Sequence, residues 1–156
     1  MKISLVVVGR MRNRPERELI DDYLTRFERS GRGLGLGPAH VIEVEDKKNS
    51  GMKGEAVLLR NAVPAGAVLV ALDERGKVMT SPEFAGKLAS WRDQGNGHVA
   101  FVIGGADGIA PELRADADFL VSFGKMVWPH MLARVMLAEQ LYRAASILAG
   151  APYHRA

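Results

Sequence analysis

The last residues of the chain, Tyr153, His154, Arg155 and Ala156, bring a phenol, an imidazole and a guanidinium onto an end that is ordinarily frayed and chemically bland. Only four histidines are present, so placing one here spends a scarce group. His154 is the tail residue whose unperturbed pKa suits proton acceptance near neutral pH. Arg155 offers a planar fork for a phosphate or an oxyanion. Tyr153 offers a ring to stack on a base, or a hydroxyl to donate to it. A plain disordered tail is the competing reading.

Three further stretches carry residue types suited to ligands: "LDERGK" (72–77), "IGGADG" (103–108) and "FGKMVWPH" (123–130). Gly104 and Gly105 remove side chains where a ligand or a second backbone must come close, and an ordinary tight turn would use the same pair. The spacing is GGxxG rather than GxGxxG, with no acidic residue about 20 positions on, which argues against a dinucleotide oxidoreductase. No GxxxxGK[ST] exists, which argues against a P-loop hydrolase. Met126, Val127 and Trp128 form an apolar run that ought to be buried. Backbone flanked by such side chains suits a flat heteroaromatic ligand; packing of the loop on the core accounts for it equally well.

The elements that must position these groups alternate. "KISLVVVG" (2–9) reads as a buried strand. "RPERELIDDYLTRFERSG" places Leu19, Tyr23 and Phe27 on one helical stripe with Ile20 and Leu24 beside them, Pro15 near its start and Gly31 after its end. "GRGLGLGPAH" reads as a loop, 41–45 as a strand, "DKKNSGMKG" as a basic loop and "EAVLLRNAV" as a short helix. A strand over 67–73 precedes a turn "ERGK". Ser81 is the expected N-cap of the next helix, with Pro82 at its first position. A strand over 98–105, a short helix "PELRADA", a strand over 119–122 and a helix over 131–149 complete the chain. The pattern predicts an α/β fold with a mostly parallel sheet and helices on both faces. Ligands in such sheets bind at the carboxyl ends of the strands, where the three loops fall.

The final helix places Val135, Met136 and Ile147 within one face and Leu137, Leu141, Ala144 and Leu148 on a roughly opposite one, so it wants burial on two sides. A homodimer built on this helix satisfies both. Glu139 and Arg143 stand at i, i+4 in the favourable order for a structural pair.

Composition bounds the rest. The 156 residues predict one domain over 1–156. Hydrophobic residues at 47% and charged residues at 25% exclude disordered, collagen-like and membrane classes. The N-terminus lacks the pattern of a signal peptide, and a cytoplasmic location is expected. With no cysteine there is no disulfide and no thiolate chemistry, and His40, His98, His130 and His154 show no metal-ligand spacing, so no metal is expected. The net charge of +3 comes from the first 60 residues, which hold 12 Lys+Arg against 9 Asp+Glu. Arg10, Arg12, Arg14, Lys47 and Lys48 are candidate phosphate contacts; they serve equally as solubilising charges.

Taken together, "LDERGK", "IGGADG", "PHMLARVMLAEQLYRAASILAGAPYHRA" and the "KISLVVVG" start resemble the RlmH family, SPOUT-class methyltransferases acting on a pseudouridine of large-subunit ribosomal RNA. The resemblance covers essentially the whole chain. It implies a trefoil knot in the C-terminal half, a homodimer, S-adenosylmethionine as cofactor, and methylation at N3 of the pseudouridine on assembled ribosomes, with neither DNA nor membrane as partner. By motif, the cofactor contacts are Leu72, Gly104, Gly105, Gly124, Lys125, Met126, Val127, Trp128 and Pro129, and the catalytic residues are His154, Arg155 and Tyr153. The final helix is roughly 28 Å long, and six extended residues after Gly150 reach at most about 20 Å. The tail is therefore expected to serve the partner's cofactor loop rather than its own. A non-catalytic ribosome-associated RNA-binding module of the same fold is the alternative.

Overall fold

Strand β1 (Lys2–Val8) is buried from Ile3 onward because both of its faces are covered. Ile3, Leu5 and Val7 enter one apolar cluster; Val6 and Val8 enter another on the opposite side. This is the mark of a parallel strand sandwiched between helix layers. A computed structural model describes residues 1–155, so Ala156 lies outside the described residues. The other strands are β2 (Ala39–Val44), β3 (Val68–Val78), β4 (His98–Ile103) and β5 (Phe119–Ser122). They form one sheet in the order β2-β1-β4-β3-β5, with every pairing parallel.

Helices α1 (Pro15–Gly31), α3 (Ser81–Asp93) and α5 (His130–Leu148) cover the face that holds Phe27, Leu88 and Leu141, while α2 (Gly51–Ala62) and α4 (Pro111–Asp116) cover the other with Leu59 and Leu113. The expected α/β architecture, with helices on both faces, is the one observed. Helix α5 packs on both α1 and α3. Its buried side is Ala133, Leu137, Ala138, Leu141, Ala144 and Ala145; Val135, Met136 and Ile147 remain half-buried.

Three elements differ from expectation for identifiable reasons. Helix α2 begins at Gly51, inside the presumed basic loop, because the Asp46 carboxylate accepts from the N–H groups of Ser50 (3.1 Å) and Gly51 (3.0 Å) and from the Ser50 hydroxyl (2.7 Å). Strand β3 does not stop at Asp73 but re-pairs with β5 after a register shift, so that both Leu72 and Lys77 stand opposite Val121. Helix α3 is capped by Thr80, not Ser81. The Thr80 hydroxyl accepts from the Glu83 N–H (3.2 Å) and the Glu83 carboxylate accepts from the Thr80 N–H (2.8 Å), a complete capping box. Ser81 instead donates to Gln140 Oε1 (2.8 Å) and ties α3 to α5. Thr80→Ala should therefore cost about 1 kcal/mol; urea denaturation of the purified protein measures it.

Arg134 is almost fully buried, at 1% exposure. Its Nη2 donates to the carbonyl oxygens of Val8 and of Gly9, the latter at 3.1 Å, and so pins the start of α5 to the carboxyl end of β1. Burial lowers the pKa of this guanidinium, and Glu43 acts the other way.

Candidate active site

At the carboxyl edge of the sheet the three loops enclose a cleft of about 460 Å³. The first loop is the excursion from Asp73 to Gly76. It has to begin and end against β5, and a Cβ at Gly76 would lie 2.6 Å from the Leu120 carbonyl carbon, so only glycine fits the return. The Asp73 side chain, 4% exposed, closes the loop: its Oδ1 accepts from the Arg75 N–H (2.8 Å) and its Oδ2 from Arg114 Nη1 (3.3 Å). Arg114 also donates to the Ile109 carbonyl (3.2 Å), linking the first loop to the second.

In the second loop the glycines meet backbone. A Cβ on Gly104 would sit 2.4 Å from the Gly108 carbonyl oxygen, and the Gly108 N–H donates to the Gly105 carbonyl (3.0 Å). The tight turn and the close approach are thus the same feature. Glu55 of α2 abuts Gly105, where a Cβ would meet both its carboxylate oxygens at 2.9 Å. Burial raises the Glu55 pKa, and the charges of Asp46 and Asp107 raise it further.

The third loop turns at Gly124, whose φ of 107° lies where only glycine is comfortable. Its N–H donates to the Ser122 hydroxyl (3.0 Å), and the Trp128 indole donates to the Phe123 carbonyl (3.3 Å), closing the loop on itself. Met126, Val127 and Trp128 are 72%, 85% and 41% exposed, so the expectation of burial is corrected. The loop follows β5, and its apolar side chains border the cleft together with Met52 of α2, Arg114 of α4 and Ala133 of α5.

Leu72, Gly104, Gly105, Gly124, Met126, Val127 and Trp128 line the cleft; Lys125 and Pro129 do not. Asp73, Arg114 and His130 line it as well and were not singled out from the sequence. Asp73 falls within the loop "LDERGK", whereas Arg114 lies in a short helix with no distinguishing signal. His130 opens α5; its pKa is lowered by burial and then by the nearby charges of Arg134 and Arg14.

The basic residues occupy the same edge of the sheet. Arg10, Arg12 and Arg14 are exposed on the loop between β1 and α1, and Lys47 and Lys48 on that between β2 and α2. Buried Met11 anchors the first loop, its N–H donating to Glu43 (2.8 Å) and its carbonyl accepting from Arg17 (3.0 Å). Arg10 is paired with Glu45 (2.8 Å).

The tail turns at Gly150 and folds back along α5. The Tyr153 hydroxyl donates to Glu139 Oε1 (3.0 Å), and its ring lies 4.5 Å from that of Tyr142 and 4.8 Å beneath the Arg143 guanidinium. Burial, and then the Glu139 hydrogen bond, push the Tyr153 pKa up to about 12. The phenol is therefore neutral and its proton is engaged by Glu139, which removes the role of donor to a base. Arg143 holds Glu139 through Nε (2.9 Å) and Nη2 (2.6 Å), as the i, i+4 spacing predicts, and its Nη1 meets His154 Nδ1 at 3.1 Å. Arg155 is exposed. Glu139 and Arg143 lie roughly 14 to 20 Å along the helix from His130, and among the described residues none of the tail lines the cleft of its own chain.

The chain that forms this three-loop cleft at the sheet edge matches a known family. The family described as "Predicted SPOUT methyltransferase" covers residues 1–154. The chain is 70% identical over 155 residues to a protein of Ruegeria pomeroyi named ribosomal RNA large subunit methyltransferase H, and 71% identical over 155 residues to the protein of that name from Roseobacter denitrificans; each match spans 99% of both chains. A probable methylase family protein of Haemophilus influenzae shares the fold, with a TM-score of 0.50 and 12% identity over 99% of this chain and 70% of that one. The chain belongs to the SPOUT methyltransferases, and within them to the RlmH family of these relatives.

Proposed function

We propose that this protein uses S-adenosylmethionine to methylate N3 of a pseudouridine in large-subunit ribosomal RNA, on assembled ribosomes, as a homodimer whose reaction centres each combine one protomer's cleft with the partner's tail. The observation that carries the proposal is the separation of the two sets of groups: among the described residues no tail residue lines the cleft, and the tail is fastened to the middle of α5. The ribosomal RNA substrate follows from the names of relatives about 70% identical over nearly the whole length.

The cleft fits the cofactor. Its volume lies in the usual range for small-ligand sites, and Leu72, Ile103, Val127 and Trp128 offer apolar walls beside the bare backbone of Gly104 and Gly105. When bound, S-adenosylmethionine supplies an activated methyl group. What remains for the chain is to align the base, release its imino proton and support the negative charge left behind. Arg155 and His154 supply cationic and hydrogen-bonding groups for that charge, and Tyr153 anchors the tail that carries them.

The dimer is supported by α5 and its surroundings. Half-buried Val135 and Met136 border a second groove with Val78, Met79 and Phe84, and Val78, Trp128 and Leu132 are exposed nearby. An apolar surface of this kind on a small domain is the usual mark of an interface. The trefoil knot belongs to the same proposal and rests on family membership.

Incubating purified protein with S-adenosylmethionine and ribosomes, then analysing RNA nucleosides by mass spectrometry, tests the activity. N3-methylpseudouridine is expected; transfer to another base, or none, contradicts it. The exposed arginines supply a second test. Arg12→Ala and Arg14→Ala should each weaken ribosome binding and reduce its logarithmic salt slope by about 1. Arg10→Ala should do less, because Glu45 already neutralises Arg10.

A further inference from the structure

The contact between Arg143 and His154 constrains which nitrogen of the tail histidine carries a proton. A guanidinium has five N–H donors and no acceptor. Its Nη1 lies 3.1 Å from His154 Nδ1, so Nδ1 must present its lone pair. A neutral imidazole with a bare Nδ1 has its proton on Nε2. Arg143 is itself fixed: Glu139 Oε1 accepts from both Nε and Nη2, and the same oxygen accepts from the Tyr153 hydroxyl. Glu139 Oε2 in turn accepts from Gln140 Nε2 (2.9 Å), and Gln140 Oε1 from the Ser81 hydroxyl (2.8 Å), so the chain of contacts runs back to α3.

We infer that Arg143, held by Glu139, is a positioning residue that locks His154 as the Nε2–H tautomer, so that His154 serves methyl transfer as a hydrogen-bond donor and not as the proton acceptor. This rests on the reading above that the tail meets the target base. The base then loses its N3 proton to solvent water, N3 keeps the electron pair, and the negative charge spreads onto the flanking carbonyl oxygens. His154 Nε2–H donates to one of those oxygens, which favours the deprotonated base and stabilises charge where it develops. The expected role for His154, proton acceptance, requires a free imidazole lone pair, and Arg143 occupies it.

Long-range nitrogen–proton correlation spectra of the uniformly nitrogen-15-labelled full chain read the tautomer directly, without substrate. Near neutral pH, His154 should show a protonated Nε2 and a bare Nδ1, and Arg143→Met should convert it to a mixture that Arg143→Lys partly restores. A proton on Nδ1 in the unaltered protein overturns the inference. Kinetics supply the second arm: His154→Gln keeps a donor but no basic nitrogen, and should hold kcat within about 10-fold, whereas His154→Leu should lose about 100- to 1,000-fold. Equal loss in both variants overturns the donor role. Should the unaltered protein prove unable to methylate ribosomes, the proposed function fails while the spectra still decide the tautomer.

Discussion

Deletion of residues 151–156 should lower kcat for methyl transfer about 1,000-fold, within the range for loss of positioned charge-stabilising donors, while leaving cofactor affinity unchanged. The tail carries His154 and Arg155, and none of its described residues lines its own cleft. Apart from the Ala151 N–H, which donates to the carbonyl of buried Ser146 (2.9 Å), its contacts with α5 are with half-buried Glu139, Tyr142 and Arg143 rather than with the buried apolar side from Ala133 to Ala145. The fold should therefore survive the deletion, and calorimetric titration with S-adenosylmethionine should give the dissociation constant of the intact protein. Loss of binding together with turnover would place the tail in the cofactor site and contradict the separation.

The converse variant is Gly104→Val. The first carbon of any side chain at this position would lie 2.4 Å from the Gly108 carbonyl oxygen and 2.5 Å from its carbon. Neither atom is the end of a flexible side chain, so the turn of the second loop has to open. The wall shared with the Asp73–Arg114 contact moves with it. Cofactor affinity should fall by at least about 100-fold, near 3 kcal/mol, with the tail contacts at Glu139 and Arg143 intact. Titration calorimetry measures the first, and the His154 nitrogen signals report the second.

What could be read from the sequence depended on how local its cause was. Strands β1 and β4 are nearly unbroken apolar runs, and their burial on both faces follows from that alone. The sequence leaves the cap of α3 ambiguous by one residue because Thr80 and Ser81 are both capping types. The Thr80 to Glu83 spacing, a capping box by itself, held the answer. The extension of β3 was hidden because "ERGK" reads as a turn, and it is one; its return to the sheet depends on Val121 and Ser122, far along the chain. Arg114 is joined to Asp73 across 41 positions, and no local pattern reports such a pair.

The site shows the same division. Gly104 and Gly105 are conspicuous in the sequence because each removes a side chain at a strand end, whereas Gly124 is marked out only by the family resemblance. The apolar run at 126–128 is recognisable as unusual, but hydrophobicity does not say what covers it, and in the structure Met126 and Val127 stay largely exposed. Glu139 and Arg143 were legible as an i, i+4 pair. Their hold on Tyr153 and His154 appears only once Gly150 has turned the chain back on itself.

Mixed dimers test the central claim most directly. Protein with Gly104→Val lacks a working cleft, and protein lacking residues 151–156 lacks a working tail, so neither should methylate ribosomes alone. After the two are unfolded together and refolded in equal amounts, half the dimers are mixed and each holds one complete centre of two, which predicts about a quarter of normal activity. Mixed dimers that form but stay inactive would show that cleft and tail must come from the same chain, and would contradict the account.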